Sequence, residues 1–514
     1  MSPARSSIKG LATASVIVIC LVVTARASAR VGPPAGALDL TFGTAGKVVT
    51  DFGFDEVAEA VTTQKDGKIL AAGGLYDPST FASNFAVARY LANGSLDTGF
   101  GDGGKTVVTF AGQSIASGLA VLADGKIVLA GQAVVDGSTD FALARLNSDG
   151  SLDASFGANG KVSTDFGGTI DAGLKLALQP DGKLLLAGIT RHHGPRADNP
   201  YDFALARYNA DGSLDSSFGA GGHTTTDFGG TDEWATGIAL QADGKIVLAG
   251  SGYTFGPPVS STAELARYNS DGSLDTTFDN DGRVTLATTS GFGDVTIAGS
   301  EIVAASGTAD GSMAVVRYSA DGSLDQTFGS GGIATAHFGD GSSAWASGVA
   351  VQPDGEIVAA GATSANANAF PDFAVARFNP NGRLDPAFGN AGTATTDVRG
   401  NSQVDMATGL ALQKDGKIVL AGLTAPDWSS SAADFALVRY VGKVCAVPKV
   451  TQRSLAAAKK TIAKAGCTLG TVRRAFSRHV KKGRVVSEKP RAGTRLQMGA
   501  KVALVVSRGR HRSG

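Results

Sequence analysis

Residues 203–219 read Phe203-Ala204-Leu205-Ala206-Arg207-Tyr208-Asn209-Ala210-Asp211-Gly212-Ser213-Leu214-Asp215-Ser216-Ser217-Phe218-Gly219, and this string decides the fold. Phe203, Leu205 and Arg207 alternate onto one face of an extended chain. Asp211-Gly212 then supplies a turn whose Gly accepts a positive φ. The Leu-Asp-x-x-Phe part occurs seven times, with its Asp at Asp39, Asp97, Asp153, Asp215, Asp275, Asp325 and Asp385. The intervals are 58, 56, 62, 60, 50 and 60 residues, which marks a repeat architecture. Each repeat also has an apolar run ending in Arg: Arg89, Arg145, Arg207, Arg267, Arg317, Arg377 and Arg439.

One unit, 235–278, predicts the strands. Ala235 to Gln241 is a first strand and Asp243-Gly244 a hairpin turn. Lys245 to Gly250 is a short apolar strand buried on both faces. A variable loop leads to a third strand ending at Tyr268, the Asp271-Gly272 turn, and a fourth strand through Leu274 and Phe278. Four antiparallel strands per repeat is the propeller-blade pattern. The phase adds a prediction. The chain enters at Leu38-Asp39 with fourth-strand sequence and leaves at Tyr440 after a third strand. Joining the two completes a blade and removes exposed edges. The expected fold class is therefore an all-β seven-bladed β-propeller at 38–440, its ring closed by the N-terminal strand.

These strings resemble the delta-60-type β-propeller repeat of secreted bacterial proteins, over about 400 residues of recurring DGK, F-A-x-A-R-Y and D-G-S-L-D-x-x-F-G motifs. The resemblance implies the fold and brings no established activity. Repeat five departs most: it lacks the DGK turn, reading Ala298-Gly299-Ser300-Glu301, and has Asp279 after Phe278.

Charge divides the chain. From Val441 to Gly514 there are nineteen Lys/Arg against one acid, Glu488, a balance of +18. From Arg30 to Tyr440 there are twenty-four basic and forty-five acidic residues, a balance of −21. The split argues for separate domains, the basic one facing a polyanion. Residues 1–29 read as a signal peptide: Arg5 and Lys9, then apolar Leu11 to Val23, then Ala27-Ser28-Ala29. A secreted protein with no membrane segment after cleavage is expected, with a short linker at 30–37. Beyond Cys20 only Cys445 and Cys467 remain, most simply a disulfide in an exported chain; free thiols are the alternative.

The recurring charges are expected to pair structurally: Arg89 with Asp97, Arg145 with Asp153, Arg207 with Asp215, Arg267 with Asp275, Arg317 with Asp325, Arg377 with Asp385, and Arg439 with Asp39. Gly99 to Thr106 matches the P-loop string but is followed by strand-like sequence, so it reads as a turn. Asp279-Asn280-Asp281-Gly282 lacks the further carboxylates of a calcium loop. His192-His193 is adjacent rather than i, i+4, and there is no G-x-S-x-G elbow. No catalytic residue, metal or cofactor is expected. One propeller face, in or beside the loops, collects Trp234, Trp345, Trp428, His192, His193, Tyr201, Tyr253 and Phe255, which would stack a glycan or hold a protein. Inter-blade packing is the plainer reading, since Val57, Ile115 and Met406 fill the slot of Trp234 and Trp345 elsewhere.

From residue 446 a helix capped by Ser454, with Leu455, Ala458, Ile462 and Ala465 on one face and Gly466 after its end, is predicted on a three-stranded sheet. Its strand-like runs are Val447 to Val450, Thr468 to Arg473, Arg484 to Ser487 and Val502 to Ser507. Val447-Pro448-Lys449-Val450, Ala465-Gly466 with Gly470-x-Val472, Val480 to Gly483, Pro490-x-x-Gly493-Thr494 and Val502 to Ser507 together look like a small α+β PASTA domain. We place this PASTA-like domain at 441–508, before a basic tail at 509–514. The resemblance implies an extracellular module, some members of which recognise peptidoglycan. Lys459, Lys460, Lys464, Arg473, Arg474, Lys481 and Lys482 are the candidate contacts to peptidoglycan or an anionic wall polymer. Nucleic acid is not an expected partner. The expected function is a secreted, wall-associated, non-enzymatic binding or scaffolding protein. A purely structural surface protein and an enzyme with an unrecognised propeller site are the alternatives.

Overall fold

The computed structural model describes residues 33–510 apart from 193–200, 230–231, 255–259, 288, 367–368, 401–402 and 429–431. The expected signal peptide at 1–29 and residues 511–514 of the tail lie outside the described residues. No described helix is long and apolar enough to cross a membrane.

The chain is a propeller-like all-β structure followed by a PASTA-type module that holds the only α-helix among the described residues. A representative sheet runs in the order Asp232–Leu240, Ile246–Thr254, Ser260–Tyr268, Arg283–Leu286, all antiparallel. Gln241 N donates to Lys245 O at 2.9 Å, and Gly244 takes φ +87° to close the first hairpin. Ile246, Val247, Leu248 and Ala249 are fully buried because neighbouring sheets cover both faces. The first strand bulges between Ala235 and Gly237, turning Thr236 out of the ladder. Gly250 lies opposite this bulge: a Cβ there would come 1.9 Å from Trp234 O, which no side chain tolerates. Gly73, Gly131, Gly188, Gly361 and Gly422 meet the same carbonyl in their own sheets.

The fourth strand is not where sequence alternation put it. Leu274 makes only an isolated bridge to Tyr268, and 275–282 folds into tight turns (Phe278 N to Asp275 O at 2.9 Å, Gly282 N to Phe278 O at 2.7 Å). The strand itself starts at Arg283. Phe278 is tucked beneath Arg267, its apolar side chain serving the turn rather than a ladder.

Strand Lys47–Thr50 pairs antiparallel with Asp434–Tyr440, the third strand of the last sheet, with Lys47 opposite Val438 and Thr50 opposite Phe435. The described part of the expected linker is anchored, not free. Ala35 is buried, Gly36 N donates to Val441 O at 2.6 Å and Val441 N to Ala37 O at 2.8 Å.

In the C-terminal module, helix Leu455–Lys464 starts at Ser454, whose side chain accepts from Ala457 N at 3.3 Å. Ala458 and Ile462 are buried against Val485, Val502 and Leu504 of the sheet Thr468–Ala475, Lys501–Ser507, Val485–Lys489. The strand expected at Val447 to Val450 is instead Val444–Ala446, paired with Arg495–Gln497; Pro448 has no N–H to offer a ladder. Cys445 on that strand and Cys467 just beyond the helix form a disulfide, Cα atoms 5.2 Å apart. Replacing both with Ala removes a cross-link closing a loop of 22 residues. That should destabilise the module by roughly 3 kcal/mol. Amide exchange across the module's sheet should then accelerate about 100-fold; unchanged protection would show that packing alone holds the module.

Candidate binding site

The first strands converge on one cavity of about 550 Å³, to which each contributes: Glu59, Ser117, Lys175, Thr236, Phe292, Ser347 and Thr408. Most of these sit at or beside the bulges, so the bulge aims side chains inward. The hydroxyls also tie strand to strand. Ser117 Oγ donates to Gly173 O at 2.8 Å, Thr236 Oγ1 to Phe292 O, and Thr408 Oγ1 to Ala58 O. Trp234, Trp345 and Tyr253 line the same cavity with Ile115. The two Trp lie on first strands rather than in loops, Trp234 opposite Ser251 and Trp345 opposite Ala362. Tyr201 packs on Trp234 with ring centroids 5.6 Å apart. Trp428, well exposed, is not among the lining residues. His193, Phe255 and the His192 side chain lie outside the described residues.

Burial pushes up the carboxyls of Glu59, which lines the cavity, and of Asp294, and Lys175 counters it for both. The arrangement offers aromatic faces, hydroxyls and a carboxylate–ammonium set, the surfaces that suit a polyhydroxylated ligand with an apolar face.

The Arg–Asp pairs lie away from this cavity. All seven are brought together at 2.5–2.9 Å, each guanidinium 4.3–4.7 Å from the Phe of the same motif. Sequence reasoning missed two partners. The DGK lysine joins the same carboxylate: Lys68, Lys126, Lys183, Lys245 and Lys417 reach Asp97, Asp153, Asp215, Asp275 and Asp39 at 2.6–3.2 Å. Hydrogen bonds from Lys183 and Ser217, with Arg207 adding, hold Asp215 well below the usual carboxylate range. A guanidinium nitrogen crosses to the next sheet, Arg207 to Ser270 O and Arg317 to Pro380 O, so these pairs each clasp two sheets. Glu301 and Glu356 replace the lysine in two repeats. There Glu356 sits 3.5 Å from Arg377, and burial raises its carboxyl. The P-loop-like Lys105 begins a strand and donates to Asp51 O at 2.7 Å, with no helix after it.

Carboxylate triplets were also missed. Asp51, Glu56 and Asp434, then Asp202, Asp227 and Glu233, then Asp372, Asp397 and Asp405 each place carboxylate oxygens within 4.8 Å of one another. Burial, with neighbouring carboxylates adding, pushes Glu56 up to about 7, Glu233 to about 8 and Asp405 to about 6.

In the module, Lys459, Lys460, Lys464, Arg473, Arg474, Lys481 and Lys482 are all exposed, and none forms an ion pair with a described carboxylate. The module abuts the propeller. Lys443 pairs with Asp354, Arg377 donates to Gly442 O, and Met498 packs beside Gly416.

Residues 64–100, 122–156, 179–218, 241–278, 302–328 and 352–388 match the family described as a domain of unknown function (DUF5122) β-propeller, and 446–508 match the PASTA domain. The chain carries six DUF5122 β-propeller repeats and a C-terminal PASTA domain. Five of the six DUF5122 segments start at the hairpin before the second strand and the sixth, 302–328, starts within that strand; all six end at the motif Phe and so contain an Arg–Asp pair. Comparison with curated proteins finds no match. Among solved structures, the extracellular region of the Ser/Thr kinase PrkC from Staphylococcus aureus is 25% identical over 14% of this chain and 25% of that one, TM-score 0.13. A protein of unknown function from Dyadobacter fermentans is 13% identical over 77% and 98% of the two chains, TM-score 0.39. The propeller of the Trilobed protease from Pyrococcus furiosus is 9% identical over 77% and 95%, TM-score 0.39.

Proposed function

We propose that this DUF5122–PASTA protein is an exported, non-enzymatic binding protein of the cell envelope. The PASTA module attaches it to an anionic wall polymer, and the propeller is its interaction platform. The observation that carries this reading is the charge split of +18 against −21, joined to a module of a type found outside the cell. Unpaired, exposed cations on the helix and around Arg473-Arg474 and Lys481-Lys482 suit phosphate and carboxylate polymers, while the acidic propeller is repelled by them.

The propeller is read as a closed ring of seven blades. The pairing of Lys47–Thr50 with the last third strand supports this, as does the hydrogen bond from Thr408 to Ala58 O between the last and first inner strands. Arg439 reaches Asp39 and then Ala92 O at 2.6 Å in the first sheet, continuing the clasp seen at the other junctions. The cavity with Trp234, Trp345 and Tyr253 is then the mouth of the central channel, a place for a glycan or a short segment of a partner.

The test is co-sedimentation of the protein from Arg30 onward with purified wall sacculi. Binding should fall steeply as salt rises and the Debye length shrinks from ~10 Å to ~3 Å. Charge reversal at Lys459, Lys460, Lys481 and Lys482 should abolish most of it, while Trp234→Ala with Trp345→Ala should leave it intact. Salt-insensitive binding, or dependence on the Trp pair, would move wall recognition to the channel mouth.

A further inference from the structure

We propose that the cavity between the first strands binds a small zwitterion, a free short peptide with an apolar side chain, held by Glu59 at its ammonium end and by Lys175 at its carboxylate end. This rests on reading the propeller as the protein's interaction platform, and it names the ligand class of that platform.

The bulges of the first strands carry the first part of the argument. The seven bulged residues, Glu59, Ser117, Leu174, Thr236, Gly293, Ser347 and Thr408, all line the cavity. Glu59 alone among them is charged. Ser117, Thr236 and Thr408 give their hydroxyl protons to a carbonyl of the neighbouring first strand. An ionised carboxylate at the same position has no proton to give, so Glu59 takes no part in that stitching and is left to face the cavity.

The charges carry the second part. Glu59 and Lys175 are the only charged residues among those lining the cavity, one of each sign. Neither makes a side-chain hydrogen bond or a close ion pair with a described residue. Asp294, whose Oδ2 accepts from Val349 N at 3.2 Å, is not a lining residue. Burial raises the Glu59 carboxyl and Lys175 only counters it, the direction expected of a carboxylate without a contact partner. A ligand with one ammonium and one carboxylate answers both charges with charge-assisted hydrogen bonds. A neutral glycan would cover both and pair neither, and a desolvated, unpaired charge is costly. Trp234, Trp345, Tyr253 and Ile115 supply the wall for an apolar side chain. The volume of about 550 Å³ suits a ligand of this size.

The experiment is isothermal titration of the protein from Arg30 onward with the dipeptides Ala-Ala, Ala-Leu and Ala-Phe at millimolar concentration. Ala-Leu and Ala-Phe should bind more tightly than Ala-Ala. Acetylating the amine or amidating the acid of the tighter one should each weaken binding roughly tenfold or more, the worth of one charge-assisted hydrogen bond. Glu59→Gln should erase the preference for the free amine, and Lys175→Met the preference for the free acid. Glu59→Ser, which installs the residue type of two neighbouring bulges, serves the same purpose if Glu59→Gln fails to fold. Charge preferences kept by the folded variants would overturn the proposal. N,N′-diacetylchitobiose is titrated in parallel: heat from it and none from the dipeptides would overturn the peptide but leave the propeller a binding platform, whereas heat from neither would overturn both at this cavity.

Discussion

Deleting residues 38–52 should convert the protein into an aggregating species without a cooperative unfolding transition. The segment supplies far more than a strand of four residues. Phe42 is fully buried beneath Arg439, with the guanidinium 4.3 Å from its ring. Asp39 is the carboxylate for Arg439, and both side chains are only 2% exposed. Thr50 accepts the buried Tyr90 hydroxyl at 2.8 Å, and Phe52 packs on Phe435 at 5.1 Å. Without this segment, Asp434–Tyr440 becomes a bare edge that templates pairing with other chains. A buried guanidinium also loses its counter-charge. The summed loss reaches the ~5–15 kcal/mol that holds a domain together. Calorimetry with size-exclusion chromatography decides it. A monomer that melts in one transition at the parent's Tm would mean that the fold does not depend on this strand.

The second large effect concerns the clasp, and it should be graded by burial. Asp39→Ala should cost roughly 3–5 kcal/mol, because it strands Arg439 in a site closed to water. Asp325→Ala should cost about 1 kcal/mol or less, since Arg317 and Asp325 are 16% and 15% exposed and no DGK lysine joins them. Replacing Asp39 and Arg439 together by Leu and Met should recover much of the loss. Urea unfolding of the parent and the three variants measures the series. Equal costs for Asp39→Ala and Asp325→Ala would show that the pairs act through the turn alone and not as buried ion pairs.

Sequence and structure divide according to distance along the chain. The hairpins, the Gly at each turn and the pairing of Arg207 with Asp215 are short-range. Two residues eight apart across one tight turn have few places to go, so alternation and turn chemistry determine them. The helix from Ser454 to Gly466 was legible for the same reason: cap, apolar face and terminating Gly all act within a few residues. The phase of the repeat also told which strand lacks a partner, because a third strand ending at Tyr440 and a fourth beginning near Leu38 complement each other by pattern alone. Local pattern misplaced the fourth strand, since Leu274 and Phe278 look like strand residues whether they enter a ladder or a turn. What only the tertiary structure decided is everything that joins one sheet to the next. Lys183 meets Asp215 across 32 residues, Arg207 crosses to Ser270, and Asp372, Asp397 and Asp405 gather from three strands. Alternation says that a side chain leaves the sheet on a given face, but not what stands opposite. That depends on how twisted sheets stack and on where each bulge turns its residue toward the cavity.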